Sequence, residues 1–149
     1  MVAVTTLYDA LLVTRHPAFV KDAVAVIDAE VAGKRGAAGL AVKAGYGAVN
    51  RMNPDLVSDA LVALLPELVG RLERHWYDYR VSGTGTFGEF LVERADDVAE
   101  ELLEVTDGRV AASTMQAVKR VYATMRPAAK RHVIDALPRV GHVIERHAG

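Results

Sequence analysis

Leu65-Pro66-Glu67-Leu68, followed by Leu72-Glu73-Arg74-His75, returns 72 residues later as Leu137-Pro138-Arg139-Val140, followed by Ile144-Glu145-Arg146-His147. A Met-x-Pro stands upstream of each copy, Met52-Asn53-Pro54 in the first and Met125-Arg126-Pro127 in the second. Self-similarity at a fixed period implies one supersecondary unit used twice, with the apolar faces of the two units buried against each other. The spacing predicts a single domain over 1–149 that contains repeat units at about 17–80 and 87–147, related by a pseudo-two-fold axis. Each unit reads as a long helix, a glycine-bearing turn, a helix ending in Met-x-Pro and a proline-interrupted helix. Phe19 to Val31 pairs with Phe90 to Val105 in this scheme, and offsets between 71 and 74 put small insertions in the loops.

The fold class follows from periodicity. Apolar positions recur at three and four rather than alternating, and alanine is abundant, so the chain reads as all-α, a compact bundle of roughly six to eight helices. A short helix near Thr6–Arg15 precedes one that runs from Pro17 to about Ala32, stopped by Gly33. Gly36 to Met52 forms the next, and Asn53-Pro54-Asp55 starts another with a cap, a first-turn proline and a carboxylate near the positive helix end. Pro66 and Pro138 predict kinks or breaks, and Pro127 a restart. Ser82-Gly83-Thr84-Gly85 is the clearest loop, and Thr86-Phe87-Gly88-Glu89 reads as a capping box. It opens an acidic helix that extends to about Val105, where Thr106-Asp107-Gly108 is expected to stop it.

Composition bounds the chemistry. The 149 residues are 51% hydrophobic and 25% charged, which is globular rather than disordered. Cysteine is absent, which removes disulfides, thiolate metal sites and thiol catalysis. The start of the chain lacks a basic n-region and carries Asp9 inside its apolar stretch, so no secretion signal is expected and the cytoplasm is the default location. No run approaches the roughly 20 apolar residues of a membrane span. A net charge of −1 argues against a nucleic-acid partner, but its distribution is uneven. Residues 86–108 carry eight acidic groups against Arg94, whereas 109–149 carry eight basic groups against Asp135 and Glu145. The simplest reading is that the acidic helix and the basic segment neutralise each other within the fold.

Several strings resemble a known family. Lys34-Arg35-Gly36 with Leu40, Lys43 and Tyr46, the Leu65-Pro66 helix closing on Trp76-Tyr77-Asp78-Tyr79, and Phe87-Gly88 through Glu93-Arg94-Ala95 are similar to a family of small helical actinobacterial proteins, a domain of unknown function. The resemblance covers residues 15–149. It implies a bacterial, soluble, helical protein and brings no catalytic residues with it.

Candidate sites are few. Lys34, Arg35, Lys43 and Tyr46 surround glycines that precede a helix, where exposed N–H groups and the helix dipole favour an anion; the P-loop spacing is absent. Gly39, Gly45 and Gly47 cost helix stability, and close packing against a partner helix is the expected compensation. Trp76, Tyr77 and Tyr79 gather aromatic rings with polar tips, which suits an interface or a pocket mouth. His142 and His147 lie five apart rather than three or four, and no Glu-x-x-His occurs, so no metal and no cofactor is expected. Lys119, Arg120, Arg126, Lys130 and Arg131 form a basic cluster without a recognition motif. The sequence therefore points to a non-enzymatic interaction or scaffold module, with a homodimer or a protein partner. Binding of an anionic ligand or nucleic acid, or an enzyme pocket between the halves, stands as the alternative.

Overall fold

The computed structural model describes residues 6–14, 16–82 and 84–149. A π-helical segment Asp9–Thr14 continues a helical turn that begins at Leu7, and six α-helices follow: α1 (His16–Gly33), α2 (Gly36–Met52), α3 (Leu56–Ser82), α4 (Phe87–Glu93), α5 (Ala95–Ala111) and α6 (Gln116–Ala148). No strand occurs among the described residues, and the chain is all-α.

α6 is the spine. It packs against α1, α4, α5 and the π-helical segment, while α3 closes the other side against α1, α4 and α5. The core lies between α3, α4 and α6. Leu65, Val69, Leu72, Trp76 and Tyr79 of α3 meet Phe87 and Leu91 of α4 and Leu137 and Ile144 of α6, with Leu7, Leu11 and Phe19 closing one end. Full burial of a side chain of this size contributes about 1.5–3 kcal/mol.

α4 approaches α6 glycine on glycine. A Cβ on Gly141 would stand 2.3 Å from the Cα of Gly88, and one on Gly88 would stand 3.0 Å from the Pro138 carbonyl oxygen. Only residues without a side chain let α4 lie this near α6.

The prolines do not break their helices, and Pro127 does not restart one. α3 runs unbroken through Pro66, and α6 runs unbroken through Pro127 and Pro138. An interior proline costs about 3 kcal/mol, and here tertiary contacts on both sides offset it. Pro66 stands among the buried residues Leu65 and Val69, and Pro138 lies against Gly88. Around Pro127, Arg126 bridges Asp107 and Glu100, and Lys130 bridges Asp96 and Glu100. The two Met-x-Pro strings therefore mark different things: Met52 ends α2, whereas Met125 lies inside α6.

The acidic helix also departs from expectation. It is two helices, separated at Arg94, whose backbone leaves helical geometry at φ −109° and ψ 22°. The Arg94 guanidinium sits 4.3 Å from the Phe90 ring and pairs with Asp78 at 2.9 Å, which fixes the turn. α5 then continues through Thr106-Asp107-Gly108 to Ala111. The Thr106 hydroxyl donates back to the Leu103 carbonyl, and Asp107 is clasped by Arg126, so neither is available to stop the helix.

Charge pairing is partly as read. Glu100 meets Arg126 and Lys130 of α6, but Glu101 and Glu104 turn to Arg74 and Arg71 of α3. α5 is thus flanked by cations on two sides.

Candidate functional site

The two Glu-Arg-His triplets, one in α3 and one in α6, make the same kinds of contact. Glu73 accepts the backbone N–H of Tyr8 at 2.8 Å, and Glu145 accepts that of Phe87 at 3.2 Å. Each glutamate thus satisfies an N–H in the first turn of a short helix, a group with no partner inside that helix. Arg74 and His75 both hold Glu101 of α5, at 2.5 and 2.6 Å. Arg146 and His147 both hold Asp22 of α1, at 3.6 and 2.6 Å. The two imidazole side chains are 1% and 3% exposed. The Nε2 of His75 faces Glu101 at 2.6 Å, and its Nδ1 lies 3.4 Å from a guanidinium nitrogen of Arg94. Asp22 is held below the usual carboxylate range, chiefly by its hydrogen bond with His147. The repeat histidines are cross-braces between early and late helices.

The proposed aromatic site divides. Trp76 is 7% exposed, with its ring edge-on to Phe87 at 5.0 Å and the Arg80 guanidinium 5.5 Å from its centroid. Tyr79 is buried beside it, and its single hydroxyl proton has two acceptors in reach, Glu145 at 2.6 Å and the Gly85 carbonyl at 2.9 Å. That hydroxyl titrates above its ordinary range, because of the Glu145 bond first and burial second. Tyr77 alone faces out, at 65% exposure. Two of the three rings are core.

The basic site divides as well. Lys34 is turned to Asp135 at 3.3 Å and Glu30 at 3.8 Å, and the Tyr46 hydroxyl bonds to Asp28 of α1. Arg35 and Lys43 are exposed, and Gly36 makes the turn between them with φ +74°. The anion-directed cluster is therefore reduced to two cations on the rim of α2.

What sequence reasoning did not single out is how bare α2 is. Added Cβ atoms at Gly45 and Gly47 would meet nothing within 4 Å, so the expected close helix packing does not occur there. Gly39 is tight only against the Lys34 backbone just before it. Leu40 is 68% exposed and Met52 87%. A comparable run lies at the start of α6, where Met115, Val118, Val121 and Met125 are all exposed. The signal was present as a helix rich in alanine and glycine, with few bulky side chains to anchor it.

Two open clefts flank Pro138 and His142. One, of ≈ 550 Å³, lies between α4 and α6 and is bordered by Gly88, Glu89, Val92, Glu93 and Glu145. The other, of ≈ 400 Å³, lies between α1 and α6 and includes Asp22, Val26 and Arg146. In the first, the Thr86 hydroxyl accepts the Glu89 N–H as the α4 cap, and Glu145 is committed to Phe87 and Tyr79. What remains is an acidic rim around an apolar floor, with no nucleophile poised beside a base among the described residues.

An all-helical bundle braced by buried histidine–carboxylate pairs, with bare apolar helix faces, is the class this geometry defines. The chain belongs to the family of unknown function DUF6918, whose model matches residues 7–148. No curated protein and no solved structure matches it.

Proposed function

We propose that this protein is a non-enzymatic interaction module whose docking faces are α2 and the first turns of α6. The carrying observation is the uncovered apolar surface of α2, with Leu40 and Met52 turned to solvent on a helix that buries no large side chain. Large apolar side chains left uncovered on one helix are a feature of sites of association. Ion-paired Lys34 and Asp28-bound Tyr46 weaken the alternative of an anion pocket at the α1–α2 turn. A photo-crosslinking residue at Ala44, on the bare face, tests the reading in cells: protein adducts should form there and not from a control position at Glu104. Failure to form any adduct from α2 overturns it.

The duplication belongs to the same proposal. The chain is read as one unit used twice, each copy supplying the glutamate that caps a short helix and the Arg-His pair that grips a carboxylate. Asp22 and Glu101 take equivalent places in this scheme, as do Thr6 and Thr86, whose hydroxyls accept the N–H groups of Asp9 and Glu89. The register of α1 on α5 is then different from the Phe19–Phe90 pairing. In an experimental structure of another family member, one rotation of about 180° should superpose the two triplets with their partners; absence of that rotation rules the duplication out.

A further inference from the structure

We propose that the partner of α2 is a second copy of this chain, docked head-to-tail into the acid-rimmed groove between α4 and α6. The inference rests on the interaction reading above and names its occupant from charge. Between Gly33 and Asn53 every charged residue is a cation: Lys34, Arg35, Lys43 and Arg51. No ion pair among the described residues engages Arg35, Lys43 or Arg51, and all three are exposed. Leu40 and Met52 stand uncovered on the same helix.

The groove has the opposite character. Glu89, Glu93 and Asp97 are exposed along α4 and the start of α5, and no ion pair among the described residues engages their side chains. Val92 is half-exposed between them, and Gly88 and Pro138 leave the floor without bulk. Lys43 and Arg51 stand about 12 Å apart along α2, and Glu89 and Glu93 stand one turn apart along α4 on the edge of the groove. An apolar floor between two acidic residues faces an apolar helix edged by two cations.

A symmetric contact of α2 on α2 sets like charges against each other, which is costly across an interface. A head-to-tail contact avoids this and uses two different surfaces, so each copy keeps one free end. Association of that type continues past the dimer unless the ring closes. It is electrostatic in part and weakens with salt.

The test is sedimentation of the full chain at low salt, with two double variants. The average mass of the wild-type protein should rise with concentration beyond twice 16.1 kDa, and its association should weaken about tenfold on passing from ~50 mM to ~500 mM salt. K43E/R51E keeps only the groove, and E89K/E93K keeps only the helix; each alone should stay monomeric. Mixed in equal amounts, they should associate again and grow past the 1:1 pair, because the reversed charges of each variant also complement those of the other. Circular dichroism checks that both are folded, and K43Q/R51Q with E89Q/E93Q replace any that are not. A wild-type protein that is monomeric throughout, or a mixture that fails to pair, overturns the proposal. Adducts to a different protein at Ala44 in cells would then keep the interaction reading and give it another partner.

Discussion

Gly88 and Gly141 touch backbone to backbone where α4 crosses α6, and there is no room for a single methyl group on the α6 side. The obstacle is main chain rather than a flexible side chain, so it cannot swing away. Gly141→Ala should therefore cost at least about 2–3 kcal/mol, at the upper end of overpacking changes. Gly70→Ala in α3, where a Cβ meets nothing within 4 Å, should instead stabilise by about 0.5–1 kcal/mol from helix propensity. Urea unfolding of the two variants measures both. Equal effects would mean that the helices do not meet at these glycines.

Trp76 is the only tryptophan, so its fluorescence reports on the α3–α4 contact alone. Its emission should be blue-shifted and poorly quenched by iodide in the folded monomer. Trp76→Ala should destabilise by about 3–5 kcal/mol, as for other large core truncations. Red-shifted, freely quenched emission would contradict the packing against Phe87.

Removing the carboxylate from a cross-brace takes one hydrogen-bond partner from a buried imidazole. Glu101→Leu and Asp22→Leu should each cost about 1.5–3 kcal/mol, the range for a hydrogen bond to a charged group. The two braces share no partner, so the double variant should lose close to the sum. Thermal or urea unfolding gives the values, and strong non-additivity would argue that the braces are coupled.

Acid should reveal the α5–α6 ion network. Arg126 and then Lys130 hold Glu100 at a pKa of about 2, against an ordinary 4.5, and Arg126 also depresses Asp107. A carboxylate whose folded pKa lies below its unfolded one stabilises the fold above the unfolded pKa, and that contribution is lost as pH falls through the folded pKa. Stability should therefore drop between about pH 4.5 and 2. Arg126→Met should lower stability at neutral pH and flatten the decline across that window, as followed by urea midpoints at each pH.

Much of the helical plan was legible because it is written in local chemistry. Thr86 caps α4 as its position before Glu89 indicates, and α2 spans Gly36–Met52 as read, whereas Pro54 and Asp55 form a turn and α3 opens only at Leu56, two residues beyond the proline expected to start it. The other failures share one cause. Pro66, Pro127 and Pro138 and the Thr106-Asp107-Gly108 string are breakers by local preference, but neighbouring helices supply packing or ion pairs that keep the backbone helical. The repeated Glu-Arg-His string was visible, yet its partners Asp22 and Glu101 were not, since contacts between helices leave no fixed spacing in the chain. The exposure of Leu40 and Met52 was hidden for the same reason: a leucine in a helix reads as core until its neighbours are known.

The reciprocal braces carry a consequence for how the chain can be divided. His75 finds its carboxylate beyond the 84–86 loop, and His147 finds its own before it. Glu73 and Glu145 differ in the same respect, since the first closes on Tyr8 in its own segment and the second on Phe87 in its own. Severed in that loop, each fragment would retain its helix cap but lose the carboxylate that its histidine holds and expose a bare core face. Neither piece would be self-sufficient, yet the pieces are shaped to complement each other, so native structure would return on mixing rather than on refolding alone.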